Sequence, residues 1–229
     1  MKHLIACMCI AFSLLVSCGS NTPGIENIIL RVQYSAATAP WLADMTECAN
    51  QNNVVLQSEL RMASGMDIHA VDVAIRFGEN QTTTPAYQIG TDELLVIVNR
   101  QNPPGPLNAE RVRELFVGQV QNWKEVNGND APVQVWVFPA GDDIQQTFQQ
   151  ITLDSSPVSS TARLAITPDE MSQAIANDVN AIGFLPRRSK MGNVSDVYTA
   201  GTFPVLVLVP SEPAGATSAL IACMQSMQK

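Results

Sequence analysis

The residues best placed to do chemistry lie in PAGDDIQQTFQQ, residues 139–150, where a Pro-Gly turn runs into a helix with adjacent carboxylates, Asp142 and Asp143. A helix N-terminus gathers unpaired N–H groups and positive dipole, and so makes a seat for an anion. Here carboxylates stand at the seat. Asp142 is a favoured N-cap residue and Asp143 suits the dipole, so capping explains both; contact with a cationic or hydroxylated solute is the alternative. A second turn, Ser35 to Thr38, brings hydroxyls after a strand; Thr38 reads either as a ligand hydroxyl or as the cap of the next helix. Arg76 ends a strand and could offset an anionic ligand, but an ion pair with Glu79 or Asp72 is the favoured reading.

Catalysis finds little material. After the leader, His69 is the one histidine, which leaves His-based metal sites and Ser-His-Asp schemes without parts. Asp142 and Asp143 are neighbours whose side chains should diverge, unlike a glycosidase pair. No phosphate-cradling or dinucleotide-binding glycine motif occurs. We expect a protein that is not an enzyme and carries no cofactor or metal.

The elements that must position these residues alternate. Strand-like runs are IILRVQY (28–34), NVVLQSEL (53–60), VDVAIRF (71–77), ELLVIVN (93–99), VQVWVF (133–138), AIGFL (181–185) and PVLVLV (204–209). Several are apolar on both faces, as buried strands of an α/β sheet are. Helical patterns fall at 40–51, 108–118, 167–178 and 215–228, with Asn108 as a cap, Gly118 as a stop, and a Thr167/Glu170 capping box behind Pro168. Alternation of this kind implies α/β architecture with mainly parallel sheets. QNPPGP (101–106) and GNVSDVYTAG (192–201) read as breaks, candidate crossings between lobes. Trp41 and Trp123 read as core, and Arg187-Arg188-x-Lys190 as a solvated turn or a docking patch.

The ends and the charge set the compartment. Residues 1–17 pair a leading Lys2 with an uncharged apolar run, too short to span a bilayer and suited to a signal peptide. The run ends in Leu15-Val16-Ser17-Cys18, which looks like a bacterial lipobox with Cys18 as the lipidated residue. Residues 18–27 read as a tether, and we expect an extracytoplasmic protein held to a membrane, periplasmic or at the cell surface, by acyl chains. Cys48 and Cys223 remain, each on the apolar stripe of a helix, either bridged or buried as free thiols. A formal charge of −8 argues against nucleic acid or an anionic bilayer face as a partner.

With these residues in place, the chain resembles the phosphate-binding-protein family of ABC transporter solute-binding proteins and its type 2 periplasmic-binding relatives. The resemblance rests on Phe116-x-Gly118 followed by Asn122-Trp123, on AIGFLP (181–186), on Ala37-Thr38-Ala39-Pro40 after the first strand, and on PVLVLVPSEP before a closing helix. It implies an α/β fold of two lobes, residues 28–98 plus 201–229 and residues 99–200, with a small molecule or ion held in the cleft and an ABC permease as partner. Ligand contacts are then expected from Ser35, Ala37, Thr38, Arg76, Gly141, Asp142 and Asp143. The pattern departs where phosphate relatives carry Arg and Ser-Gly-Thr: Phe138 and Asp142-Asp143-Ile144 stand there. The Asp expected after the third strand is replaced by the Arg76-to-Glu79 region. A carboxylate facing phosphate in a partly desolvated cleft opposes it by on the order of several kcal/mol. Ordinary phosphate binding is therefore not expected. The segment between the second and third strands is also too short for the helix and ligand loop of many relatives. A sensor or protein-interaction module on the same fold, without a transport ligand, is the alternative function.

Overall fold

The computed structural model describes residues 28–79, 83–102 and 104–228. The leader, Cys18 and the tether lie outside the described residues. An eight-stranded mixed sheet runs in the order β2-β1-β3-β8-β4-β7-β5-β6. Its strands are β1 (Ile28–Tyr34), β2 (Val54–Leu60), β3 (Val73–Phe77), β4 (Ala86–Asn99), β5 (Gln134–Val137), β6 (Arg163–Leu164), β7 (Ala181–Pro186) and β8 (Val194–Leu208). The helices are α1 (Leu42–Gln51), α2 (Ala109–Val117), α3 (Asp143–Ile151), α4 (Pro168–Asn177) and α5 (Gly215–Ser226).

Two long strands organise the sheet. β4 and β8 pair antiparallel from Ala86↔Leu208 to Asn99↔Val194, with register shifts after Gln88, Leu94 and Val96. β3 joins the C-terminal end of β8, and carries β1 and β2 parallel beyond it. β7 joins β4 over Leu94–Val98, and carries β5 and β6 parallel beyond it. The parallel groups thus lie on opposite sides of one ribbon.

This corrects the second expected break. Residues 192–201 are mostly the start of β8, a strand of 15 residues. The polar GNVSDVYTAG stretch reads as a break, but it continues as strand, with bulges in the β4–β8 ladder absorbing its irregularity. β4 likewise begins seven residues before the apolar run that marked it. Both missed stretches are half-exposed, so their side chains lack the apolar signal of a buried strand.

α1 and α5 pack together beside the β1–β3 group, where Cys48 and Cys223 form a disulfide with Cα atoms 5.7 Å apart. Trp41 is fully buried, and Gly90 exists to admit it: a Cβ there would come within 2.6 Å of Trp41 Cζ3. On the other side, Phe148 of α3 stacks on Phe184 of β7 with ring centroids 3.8 Å apart. Phe116 of α2 meets both rings edge-on. This aromatic cluster fixes the height and rotation of α3, and so the direction in which its first turn faces. Trp123 is also core, its indole N–H donating to the Asn180 carbonyl at 2.8 Å.

The basic turn Arg187-Arg188-x-Lys190 keeps both arginines exposed, as a solvated turn does, with its charges paired to neighbouring carboxylates. Arg188 donates to Asp44 at 2.9 Å and lies 3.9 Å over the Trp41 ring. Arg187 pairs with Glu93 and Lys190 with Asp196. The Arg188 contacts tie the short 3-10 turn after β7 to α1 on the far side of the ribbon.

Candidate functional site

The site forms where the ends of strands from both groups meet. After β5, the backbone turns through Phe138-Pro139-Ala140-Gly141, closed by Asp142 N–H donating to the Pro139 carbonyl at 2.9 Å. Asp142 then caps α3: its Oδ1 accepts from Ile144 N–H at 2.9 Å. Asp143 does something else. Only 1% exposed, it reaches across to β3, where its Oδ2 accepts from Phe77 N–H at 2.8 Å. The Ser35 hydroxyl and the Arg76 guanidinium also favour its ionised form. Its Oδ1 is buried without a hydrogen-bonding partner among the described residues.

The carboxylates disturb one another. Asp142, 4% exposed, is pushed up to about 7, first by burial and then by the charge of Asp143. The N–H groups of Ile144 and Gln145 resist that shift. Burial also raises Asp143, against the pull of the Phe77 N–H, Ser35 and Arg76. Near neutral pH the pair therefore retains proton-donating as well as accepting capacity. Their side chains diverge, as adjacency leads one to expect, to Ile144 N–H and Phe77 N–H, yet the charge of Asp143 still raises Asp142.

Other expected ligand residues fall differently. Ser35 is fully buried, and its hydroxyl lies 3.4 Å from Thr38 Oγ1. Thr38 sits inside a 3-10 helix, Ala36–Trp41, that precedes α1. Its hydroxyl donates to the carbonyls of Ser35 (3.1 Å) and Ile75 (3.3 Å), so it is bound up within the turn and caps no α-helix. Ala37 is core. Gly141 is a point of close approach: a Cβ there would collide with Ser64 Oγ and come within 2.6 Å of Met62 Sδ. Ser64 N–H donates to the Gly141 carbonyl at 3.0 Å. Arg76 does not pair with Asp72, which binds Arg31 instead; its Nη2 approaches Gln146 Oε1 at 3.5 Å.

Beside Asp143 is a cavity of about 100 Å³, lined among others by Arg76, Glu79, Gln146, Thr147 and Phe203. Arg76 and Glu79 come from the end of β3 and the residues after it. Gln146 and Thr147 come from the α3 face that continues from Asp143 at i+3 and i+4. That face was available once the helix start was placed, whereas Phe203, Met62 and Ser64 carried no sequence signal of their own. Gly78 takes a left-handed backbone (φ 90°), and a Cβ on it would strike Thr147 Oγ1. The segment between β2 and β3 holds only short 3-10 turns, Ala63–Gly65 and Ile68–Ala70, in keeping with its length. The first of them leans on the Gly141 turn.

A family model for a PBP superfamily domain matches residues 65–205. The chain belongs to the PBP superfamily. Among solved structures, it resembles a protein described as a phosphate ABC transporter substrate-binding protein from Clostridium perfringens, determined with bound phosphate. That match has 17% identity and a TM-score of 0.77, over 86% of this chain and 92% of the other. An ABC-type phosphate transport receptor from Vibrio cholerae matches at 20% identity and a TM-score of 0.68, over 86% and 93%. The regulatory domain of CcmR from Synechocystis, in complex with 2-PG, matches at 14% identity and a TM-score of 0.65, over 88% and 97%. These likenesses establish the periplasmic-binding fold for the eight-stranded α/β arrangement. No helix among the described residues is long and apolar enough to cross a membrane.

Proposed function

We propose that this PBP superfamily member is an extracytoplasmic solute-binding lipoprotein, anchored through Cys18, that receives a small polar solute between two lobes and passes it to an ABC permease. The lobes are residues 28–98 with 201–229, and residues 99–200. The observation that carries this reading is the meeting of β3 and α3: Phe77 N–H and Asp143 join across the junction, beside a cavity lined from both sides. A superfamily built for binding, with transport receptors among its structural neighbours, supports it.

The solute is not phosphate held in the usual way. The neighbour from Clostridium carries phosphate on the same fold, but here the first turn of α3 presents buried carboxylates. The cavity is also below the roughly 300–1,000 Å³ usual for ligand pockets, which favours a solute of few heavy atoms. Arg76, Glu79, Gln146 and Thr147 offer donors and acceptors together, suited to a small amide or polyol. A second reading, a sensor or protein-interaction module that has lost solute binding, draws on the contacts of Ser64 with Gly141 and of Gly78 with Thr147, which already close the junction.

A thermal-shift panel of amino acids, amides, polyols, polyamines and oxyanions separates the readings. The proposal expects a small polar solute to raise the melting temperature saturably, because a ligand that binds only the folded state stabilises it by mass action. Silence across the panel would favour the second reading.

A further inference from the structure

The carboxylate of Asp143 has the surroundings of a bound anion. From outside its own helix the Phe77 N–H donates to it at 2.8 Å, and the Ser35 hydroxyl and the Arg76 charge favour its ionised form against the larger, opposing effect of burial. Ser35 follows β1, while Arg76 and Phe77 end β3, so all three belong to the opposite side of the ribbon from α3. Helix capping does not call for this arrangement, since Asp142 already accepts from Ile144 N–H. Nor does complete pairing, since the buried Asp143 Oδ1 has no hydrogen-bonding partner among the described residues. A group placed only to satisfy local structure would not leave a buried carboxylate oxygen bare, which is costly. A carboxylate standing in a seat built for a larger oxyanion would.

We propose that Asp143 is an internal ligand. Its carboxylate occupies an anion seat made by Ser35, Phe77 N–H and Arg76, latches the two sides of the junction together, and sets the specificity of the site by refusing solute oxyanions. Close approaches around it fit the same role. Gly141 lets the Ala63–Gly65 turn lie against the start of α3, and Gly78 lets Thr147 lie against the end of β3. The side chain therefore enters the seat with the backbone already drawn in, as a tethered ligand at high effective concentration would.

Emptying the seat tests this. In Asp143→Gly the donors of Ser35, Phe77 and Arg76 remain and the carboxylate is gone. Acetate, sulfate or inorganic phosphate should then raise the variant's melting temperature, by about 3 °C or more at tenfold excess over Kd, relative to chloride at equal ionic strength. Wild type and Asp143→Asn, whose seat stays filled, should show no such rise. If Asp143→Gly does not fold alone, one of the same anions should restore folding, read by circular dichroism. The proposal is overturned if Asp143→Gly, folded or not, answers to none of the three anions. It is equally overturned if wild type or Asp143→Asn responds as strongly as Asp143→Gly. The site is shared with the proposed function but the readouts differ. Solute binding is judged on the wild type, and the internal ligand on the glycine variant's response to anions, so each can fail alone.

Discussion

Acidifying the protein from about pH 8 to about pH 5.5 is expected to raise its melting temperature by roughly 5 °C, an unusual direction for an acidic protein. The sign follows from Asp142, whose folded-state pKa lies at about 7 against 3.8 for an ordinary aspartate. A carboxyl group raised on folding binds its proton more tightly in the folded state. It therefore destabilises the fold fully above about pH 7, and that penalty disappears as the pH falls towards 3.8. A shift of that size corresponds to on the order of 4 kcal/mol over the whole window, about half of it within the range tested. Asp143 and Asp92 are also raised, chiefly by burial, and act in the same direction. The lowered carboxylates Glu59, Asp130 and Asp196 lose their stabilising ionisation only at more acidic pH, outside this range. Asp142→Asn keeps a cap oxygen for Ile144 N–H and removes the charge next to Asp143. It should stabilise the protein at pH 8 by roughly 2 kcal/mol and flatten the pH dependence. A melting temperature that falls on acidification, or an unchanged slope in Asp142→Asn, would refute this account of the pair.

Reducing the Cys48–Cys223 bridge should have the other large effect. It joins α1 to α5 across a sequence separation of 175 residues, so it closes nearly the whole described chain into a loop. Chain-entropy reasoning gives about 5 kcal/mol for a loop of that length, and native bridges deliver about 2–5 kcal/mol in practice. Denaturant unfolding with and without reductant should therefore differ by about 3–5 kcal/mol, with the reduced protein the weaker. A difference below about 1 kcal/mol would mean that the packing of α1 on α5 holds these ends together unaided.

The sequence was legible where burial and capping leave a mark. β1 was placed to the residue, and α2 and α4 were framed by Asn108, Gly118 and the Thr167 cap. β8 was half missed because Ser195 to Thr202 lie on a partly exposed strand, where polar residues and Gly201 look like a loop. The site was legible as a pair of turns, but not in its roles. Asp142 read as an N-cap and is one, but nothing local in the sequence reveals that Asp143, readable only as a charge suited to the helix dipole, crosses to Phe77. Thr38 read as either a ligand hydroxyl or a helix cap, because nothing local reveals that its hydroxyl turns back to the Ser35 and Ile75 carbonyls. Met62 and Ser64 could not be assigned at all, since their approach to Gly141 is purely tertiary.

The central claim is that Asp143 of the chain itself fills an anion seat made by Ser35, Phe77 N–H and Arg76. Calorimetric titration of inorganic phosphate into the wild-type protein near neutral pH tests it most directly. No saturable heat up to about 1 mM phosphate, at either of two temperatures, is the predicted result, since a site with a dissociation constant near 1 μM (about 8 kcal/mol of binding free energy) would saturate well within that range. Saturable micromolar binding, weakened by Arg76→Ala, would contradict the account.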